Sequence, residues 1–303
     1  MSLFSIFLSD LLPIFLVASV GFVLARYLGA NVQTLSQVSF NALAPCLVFS
    51  QLVTSPVTGL DFGRMAFFCV LTMLAMALVA RLAAAGLKLD RPSVSAFLLV
   101  VMFSNGGNYG LPVVLFAFGR DALSHASVYF VTSAVLVYTA GVLLAASGRR
   151  SVRRALRGIL KVPAAWAVVA AAMVLASGLT MPLALMRPIT LLGDAALPMM
   201  ILVLGMQLER ASFPERPRVV AVAVTLSLAV APVVALAMAS LLGLAGPARQ
   251  AAVLQASMPT AVVTTILALE YDVMPAFVTS VVLLATLLSP LTLTVLIAYL
   301  QGS

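Results

Sequence analysis

The run Ser104, Asn105, Gly106, Gly107, Asn108, Tyr109, Gly110, Leu111, Pro112 lies in the middle of an apolar stretch, Ser93 to Phe118, long enough to cross a bilayer. A regular helix cannot continue through it. Proline lacks a backbone donor and clashes with the preceding turn, and each glycine costs a helix about 1 kcal/mol. In hydrocarbon, backbone groups freed from a helix are tolerated only where protein or a watery cavity satisfies them. An interrupted helix at mid-membrane therefore points to the solute site of a transporter.

The rest of the chain places this break in a membrane. Of 303 residues, 63% are hydrophobic and 9% charged, with a mean hydropathy of +1.18; a soluble domain carries about 25% charged residues. The apolar runs are near helix-spanning length and do not alternate with period two, so the expected fold is an all-α polytopic membrane protein. No basic segment precedes the first apolar run. The stretch from Asp10 to Leu28 reads as a first span preceded by Met1–Ser9, and not as a cleavable signal.

Ten spans are expected, at 10–28, 34–53, 62–86, 93–118, 122–146, 163–179, 188–208, 217–243, 249–269 and 274–299, with the fourth and ninth interrupted. The polar stretch Ser147–Lys161 divides them into five and five. An odd number of spans in each half gives the halves opposite orientations, the arithmetic of an inverted repeat. The expected units are residues 1–146, a basic cytoplasmic loop at 147–161, and residues 162–303. Internal similarity agrees: Asn41 precedes Pro45 by four residues in the second span, as Asp194 precedes Pro198 in the seventh. Pro112 is followed by Arg120 and Asp121, and Pro259 by Glu270 and Asp272.

The net charge of +8 sits in the loops between spans, so nucleic acid is not an expected partner. Arg26, Arg81, Lys88, Arg91, the cluster from Arg149 to Lys161, Arg210, Arg216 and Arg218 fall on one side. Only Arg64, Arg120, Arg187 and Arg249 fall on the other. The positive-inside rule then puts both termini outside and the 147–161 loop in the cytoplasm. In that loop Val152, Leu156 and Ile159 recur at helical spacing, which fits either a short amphipathic helix on the inner leaflet or a plain topology determinant.

If Pro112 and Pro259 meet in space, the two breaks form a crossover with a polar pocket. Half-helix N-termini would suit an anion there and C-termini a cation. Asn105, Asn108, Tyr109 and Gly110 would contribute from the fourth span, and Gln255, Ser257 and Thr260 from the ninth. The asparagines could equally satisfy the broken backbone. Asn41 reads as structural or pocket-lining. Asp194 is the one acid clearly inside an apolar segment, and it reads either as a site for a coupling cation or proton or as a helix cap. His125 reads as interfacial, with a proton role as the alternative. Cys46 and Cys69 read as core residues. One histidine and two separated cysteines make no metal or haem site, and no Gly-rich phosphate loop is present, so no cofactor is expected.

The segment Asn105–Pro112 resembles the fourth-span motif of the auxin efflux carrier family. Met258, Pro259, Thr260 and Ala261, followed by Ala268 to Asp272 and the Leu/Thr/Ser-rich run Leu283–Leu293, are similar to that family's last two spans. The short central loop resembles the bacterial branch, which includes proteins described as malonate transporters. The resemblance implies a fold shared with bile-acid sodium symporters. It implies a scaffold and a transport domain, broken helices crossing at their prolines, and Asn108, Pro112 and Pro259 as crossover residues. It also implies a small organic anion as solute, moved by an elevator-like motion in the inner membrane. A homodimer through the scaffold would accompany such a carrier.

A membrane-embedded enzyme would need a nucleophile–base pair, a metal cluster or paired acids, and the sequence offers none. A channel-like facilitator, an ion-independent uniporter or a solute sensor on the same fold are the competing readings. Coupling to a proton or sodium gradient stays open.

Overall fold

In the computed structural model, residues 2–54, 58–146, 162–178, 180–209 and 216–302 are described. The basic stretch 147–161, with its amphipathic pattern and the boundary between the halves, lies outside the described residues. What is described is helical, with one isolated β-bridge between Ser104 and Thr260.

The helices are α1 (Leu3–Leu28), α2 (Val32–Val38 through a wide turn to Ala44–Thr54), α3 (Gly59–Gly86), α4 (Arg91–Met102), α5 (Gly106–Ala145), α6 (Pro163–Ser177), α7 (Leu183–Glu209), α8 (Pro217–Leu241), α9 (Gly246–Ala256), α10 (Val263–Glu270) and α11 (Pro275–Gln301). Six of them, α1, α3, α5, α7, α8 and α11, are each long and apolar enough to cross a membrane. Local signals set many of the ends. Asn31 Oδ1 accepts from the Thr34 N–H at the start of α2, and Thr58 Oγ1 from the Asp61 N–H at the start of α3.

Three boundaries differ from the sequence reading, each for a local reason. Ser2 caps the chain start through the Ser5 N–H, so α1 begins at Leu3 and Asp10 lies inside it. The fourth and fifth apolar stretches are joined by a single-residue corner at Gly119 (φ +81°, ψ −168°), a left-handed conformation that glycine adopts without a Cβ penalty. Helix α7 begins at Leu183, ahead of the expected 188, because Pro188 is absorbed within it. Asp194 is therefore well inside the helix and is not its cap.

Packing separates two sets of helices. In the first, α1 and α2 pack against α7, and α2 also packs against α6. The α1–α7 crossing is close because it is lined by small residues. A Cβ on Gly205 would overlap the Ala18 carbonyl, and one on Gly21 would overlap the Leu202 carbonyl. With no hydrophobic driving force between helices in lipid, such backbone approach is what holds a pair together. In the second set α3 packs on α4 and α5, α9 lies against α5, and α8 runs beside α3, α9 and α11. The sets meet where α7 touches Gly106–Gly110, where α2 touches α5, with Ser124 Oγ donating to Gln51 Oε1 at 3.2 Å, and where the start of α1 touches α5 and α11.

Candidate functional site

The two interruptions predicted from sequence lie against each other. Between α4 and α5 the chain is extended at Phe103, and between α9 and α10 at Pro259–Thr260. The Asn105 N–H donates to the Pro259 carbonyl at 2.7 Å, and the Ala261 N–H donates to the Phe103 carbonyl at 2.8 Å. These bonds form a minimal antiparallel ladder around Ser104 and Thr260. They give partners to backbone groups that a broken helix would otherwise leave unpaired in a low-dielectric interior.

Two of the expected pocket residues complete the same backbone repair. Thr260 Oγ1 donates to the Val100 carbonyl at 2.7 Å, at the end of α4, and Ser257 Oγ to the Val253 carbonyl at 2.7 Å, at the end of α9. Both side chains are fully buried. Pro112 lies inside α5, just after the wide turn Gly106–Gly110 that opens that helix.

The amides behave differently. Gln255 is 0% exposed, and neither its Oε1 nor its Nε2 has a hydrogen-bond partner among the described residues. Asn105 is 5% exposed and its Nδ2 is likewise unpartnered. The glycines explain how the Gln255 amide fits. Its Oε1 lies 2.7 Å from where a Cβ on Gly106 would stand and 2.5 Å from one on Gly110. Gly107 makes room instead for the Phe130 ring, at 2.8 Å. Gly110 thus contributes space, not a contact group.

Asn108 Nδ2 donates to Gln207 Oε1 on α7 at 3.3 Å, half-buried, so it bridges the two helix sets. Gln207 was not selected from the sequence; an amide inside an apolar span was the signal available. Tyr109 turns away from the break. Its hydroxyl accepts from Ser289 Oγ at 3.1 Å, and its ring meets Phe15 edge-on at 5.9 Å. Tyr129, also unselected, places its hydroxyl 3.5 Å from Ser104 Oγ. A crevice beside the break is bordered by Thr72, Ser104, Tyr129, Ser227, Met258 and Thr260. At ≈ 10 Å³ it has room for about one water molecule.

The remaining candidates lie away from this centre. Asn41 is exposed and donates to the Gln37 carbonyl of its own helix at 2.8 Å. Asp194 is exposed on α7. His125 is half-buried on α5, within the electrostatic reach of Asp61 and Asp121. The acid that the structure does bury is Asp10, at 6% exposure. Among the described residues no group of histidine, cysteine, aspartate or glutamate is arranged to hold a metal ion.

The sequence profile of a family described as membrane transport protein matches twice, over residues 6–155 and 147–297. The chain belongs to this family, that of the auxin efflux carriers. A relative from Methanothermobacter thermautotrophicus, described as an uncharacterized transporter, is 26% identical over 264 residues, covering 86% of each chain.

Proposed function

We propose that this protein is a secondary carrier for a small organic anion bearing a carboxylate, working by movement of one helix set against the other. The observation that carries the reading is the bonding of the two breaks at Asn105–Pro259 and Phe103–Ala261, with the buried amides of Asn105 and Gln255 left unpartnered beside it. Amide N–H groups held in a low-dielectric site can receive a carboxylate without the desolvation cost of a buried cation.

In this reading the chain crosses the membrane ten times, as two inverted five-helix repeats at 1–146 and 162–303. The fourth crossing comprises α4 and the part of α5 before Gly119; the ninth comprises α9 and α10. Helices α1, α2, α6 and α7 act as scaffold, and the second set as the transport domain. The solute sits near Asn108 and Gln207, where the sets meet. The tightness of the crevice beside the break fits a site that opens only as the transport domain moves, which is alternating access of the elevator type. In the same reading, and in line with the positive-inside bias of the basic loops, both termini face the periplasmic side of a bacterial inner membrane.

Transport draws on a proton or sodium gradient and on no cofactor, and the chain is not an enzyme. Asp194 and Asn41, both exposed on scaffold helices, mark the face through which two copies pair. An aspartate at a lipid-facing helix centre costs about 2.5–3.5 kcal/mol, and a second subunit would cover it.

The test is uptake of labelled malonate and related small carboxylates into liposomes holding the purified protein, under imposed sodium or proton gradients, with Asn108→Ala in parallel. Saturable uptake with countertransport, lost in the variant, is the expected result. Flux without saturation would favour a channel-like facilitator, and no flux of any carboxylate would sink the anion assignment.

A further inference from the structure

The crevice beside the paired breaks is walled by the second helix set alone. Polar side chains reach it from Thr72 on α3, Ser104 in the first break, Tyr129 on α5, Ser227 on α8 and Thr260 in the second break. Ser227 is carried there by a widened turn of α8, Leu226–Val230, a departure from regular helix that recurs at functional sites. Thr72 is 2% exposed, and its Oγ1 has no hydrogen-bond partner among the described residues. A buried hydroxyl in that state calls for a guest or a reason.

What the other hydroxyls leave for the crevice is lone pairs. A hydroxyl has one hydrogen and two lone pairs. Thr260 Oγ1 and Ser227 Oγ both spend their hydrogen on the Val100 carbonyl, at 2.7 and 3.5 Å. Ser104 and Tyr129 share one bond at 3.5 Å. The last turn of α4, Val100–Met102, and the last residue of α9, Ala256, border the same space. Helix C-termini carry carbonyls without intrahelical partners and a partial negative charge. Oxygen atoms and two negative helix ends thus converge on a space of ≈ 10 Å³. A water molecule and a dehydrated monovalent cation both have that size, and the helix ends favour the charged guest. Unwound carbonyls and half-helix C-termini are the ligands that broken membrane helices offer to such ions. A divalent ion would want carboxylates, and none borders the crevice.

We propose that this crevice binds a dehydrated monovalent cation of sodium's size, held by the hydroxyls of Thr72, Ser227 and Thr260 and by the carbonyl ends of α4 and α9, and that this cation is the coupling ion. Ser104 and Thr260 pair in the bridge that joins the breaks, and Asn105 and Pro259 adjoin them in sequence. A cation drawn onto Thr260 braces the strand pair that presents the Asn105 amide, and its charge offsets that of a carboxylate held nearby. Cation and solute then bind better together than apart, each raising the affinity of the other by the same factor. The coupling role rests on the carrier reading; the site does not, and its test needs no solute.

The purified full-length protein would be melted in sodium, potassium or choline chloride at one constant ionic strength, with no carboxylate present. A ligand that binds only the folded state raises the melting temperature with the logarithm of its concentration once the site fills. The expected rise appears in sodium, is smaller in potassium and is absent in choline. It is lost in Thr72→Val, which keeps the side chain's shape, and in Ser227→Ala, and it is kept in Thr72→Ser. Thr286→Val removes another buried hydroxyl without a partner, one that does not border the crevice, and it keeps the rise. No rise in sodium would leave the crevice to a resident water molecule and overturn the proposal. So would an equal rise in potassium or choline, a rise that survives in both Thr72→Val and Ser227→Ala, or one that Thr286→Val also abolishes. A sodium response of the expected kind without uptake of any carboxylate would sink the carrier reading alone.

Discussion

Asn105 and Pro259 belong to opposite halves of the chain, yet the N–H of one bonds the carbonyl of the other at 2.7 Å. Together with Ala261 and Phe103 they convert two helix interruptions into one rigid node. The backbone at this node is satisfied by backbone and by two hydroxyl side chains, Thr260 and Ser257. That leaves the amide side chains of Asn105 and Gln255 free for other work, and it separates residues that build the node from residues that can bind at it.

Gln255→Leu is expected to stabilise the fold and to lower transport. A buried amide without partners carries a desolvation penalty of about 1–3 kcal/mol, which leucine of similar size removes. Thermal unfolding of the purified variant beside a flux assay checks this. A drop in both quantities would make Gln255 a structural residue.

Gly110→Ala should displace the Gln255 amide, because the added methyl would stand 2.5 Å from Oε1. The effect should shrink in the presence of Gln255→Ala, which leaves only the Asn105 carbonyl, 3.2 Å from the added methyl, in its way. In a double-mutant cycle on stability we expect a coupling of roughly 0.5–3 kcal/mol; additivity would show that the two residues do not share the space.

Gly205→Ala should cost about 1–3 kcal/mol through overpacking, since its methyl would meet the Ala18 backbone of α1, which cannot yield as a side-chain end can. Gly63→Ala in α3 meets nothing within 4 Å and should instead gain up to about 1 kcal/mol of helix propensity. Melting temperatures in one detergent would rank native protein between the two variants.

Gln207→Ala and Asn108→Ala remove the two ends of one 3.3 Å contact between the helix sets. If the solute bridges them, each variant raises the half-saturation concentration for uptake and the double variant adds little further. Independent, multiplying losses would place the solute elsewhere.

At the start of α4 the nearby Ser93 hydroxyl, with Arg216 adding to the effect, holds the Asp90 carboxyl below the usual carboxylate range. Because the folded value is depressed, the contribution is present above the unfolded value of about 3.9 and is lost as pH falls through the lower folded one. Asp90→Asn should therefore lower the melting temperature slightly at neutral pH, converge on the native protein as pH falls below about 4, and so flatten the acid limb of the stability profile. Melting temperatures measured across that range check it, and an unaltered acid limb would rule the contact out as a contributor.

By itself the sequence determined the class, the location of the breaks and the family. Those follow from properties that a linear string carries: hydropathy over about twenty residues, and the glycines and prolines around Asn105 and Pro259 that no regular helix accepts. Only the tertiary structure decided which side chains are left with unmet bonding capacity. Ser257, Thr260 and Gln255 look alike as polar residues in an apolar span. Two spend their hydroxyls on carbonyls at helix ends, while the third is fully buried and unpartnered. Likewise Asp194 is the conspicuous acid in the string because its neighbours are apolar, but its helix turns it outward. Asp10, at the edge of the first apolar run, is carried into the seam by packing against α5 and α11. Burial and partnership depend on what a neighbouring helix presents, and local periodicity does not encode which helix that neighbour is.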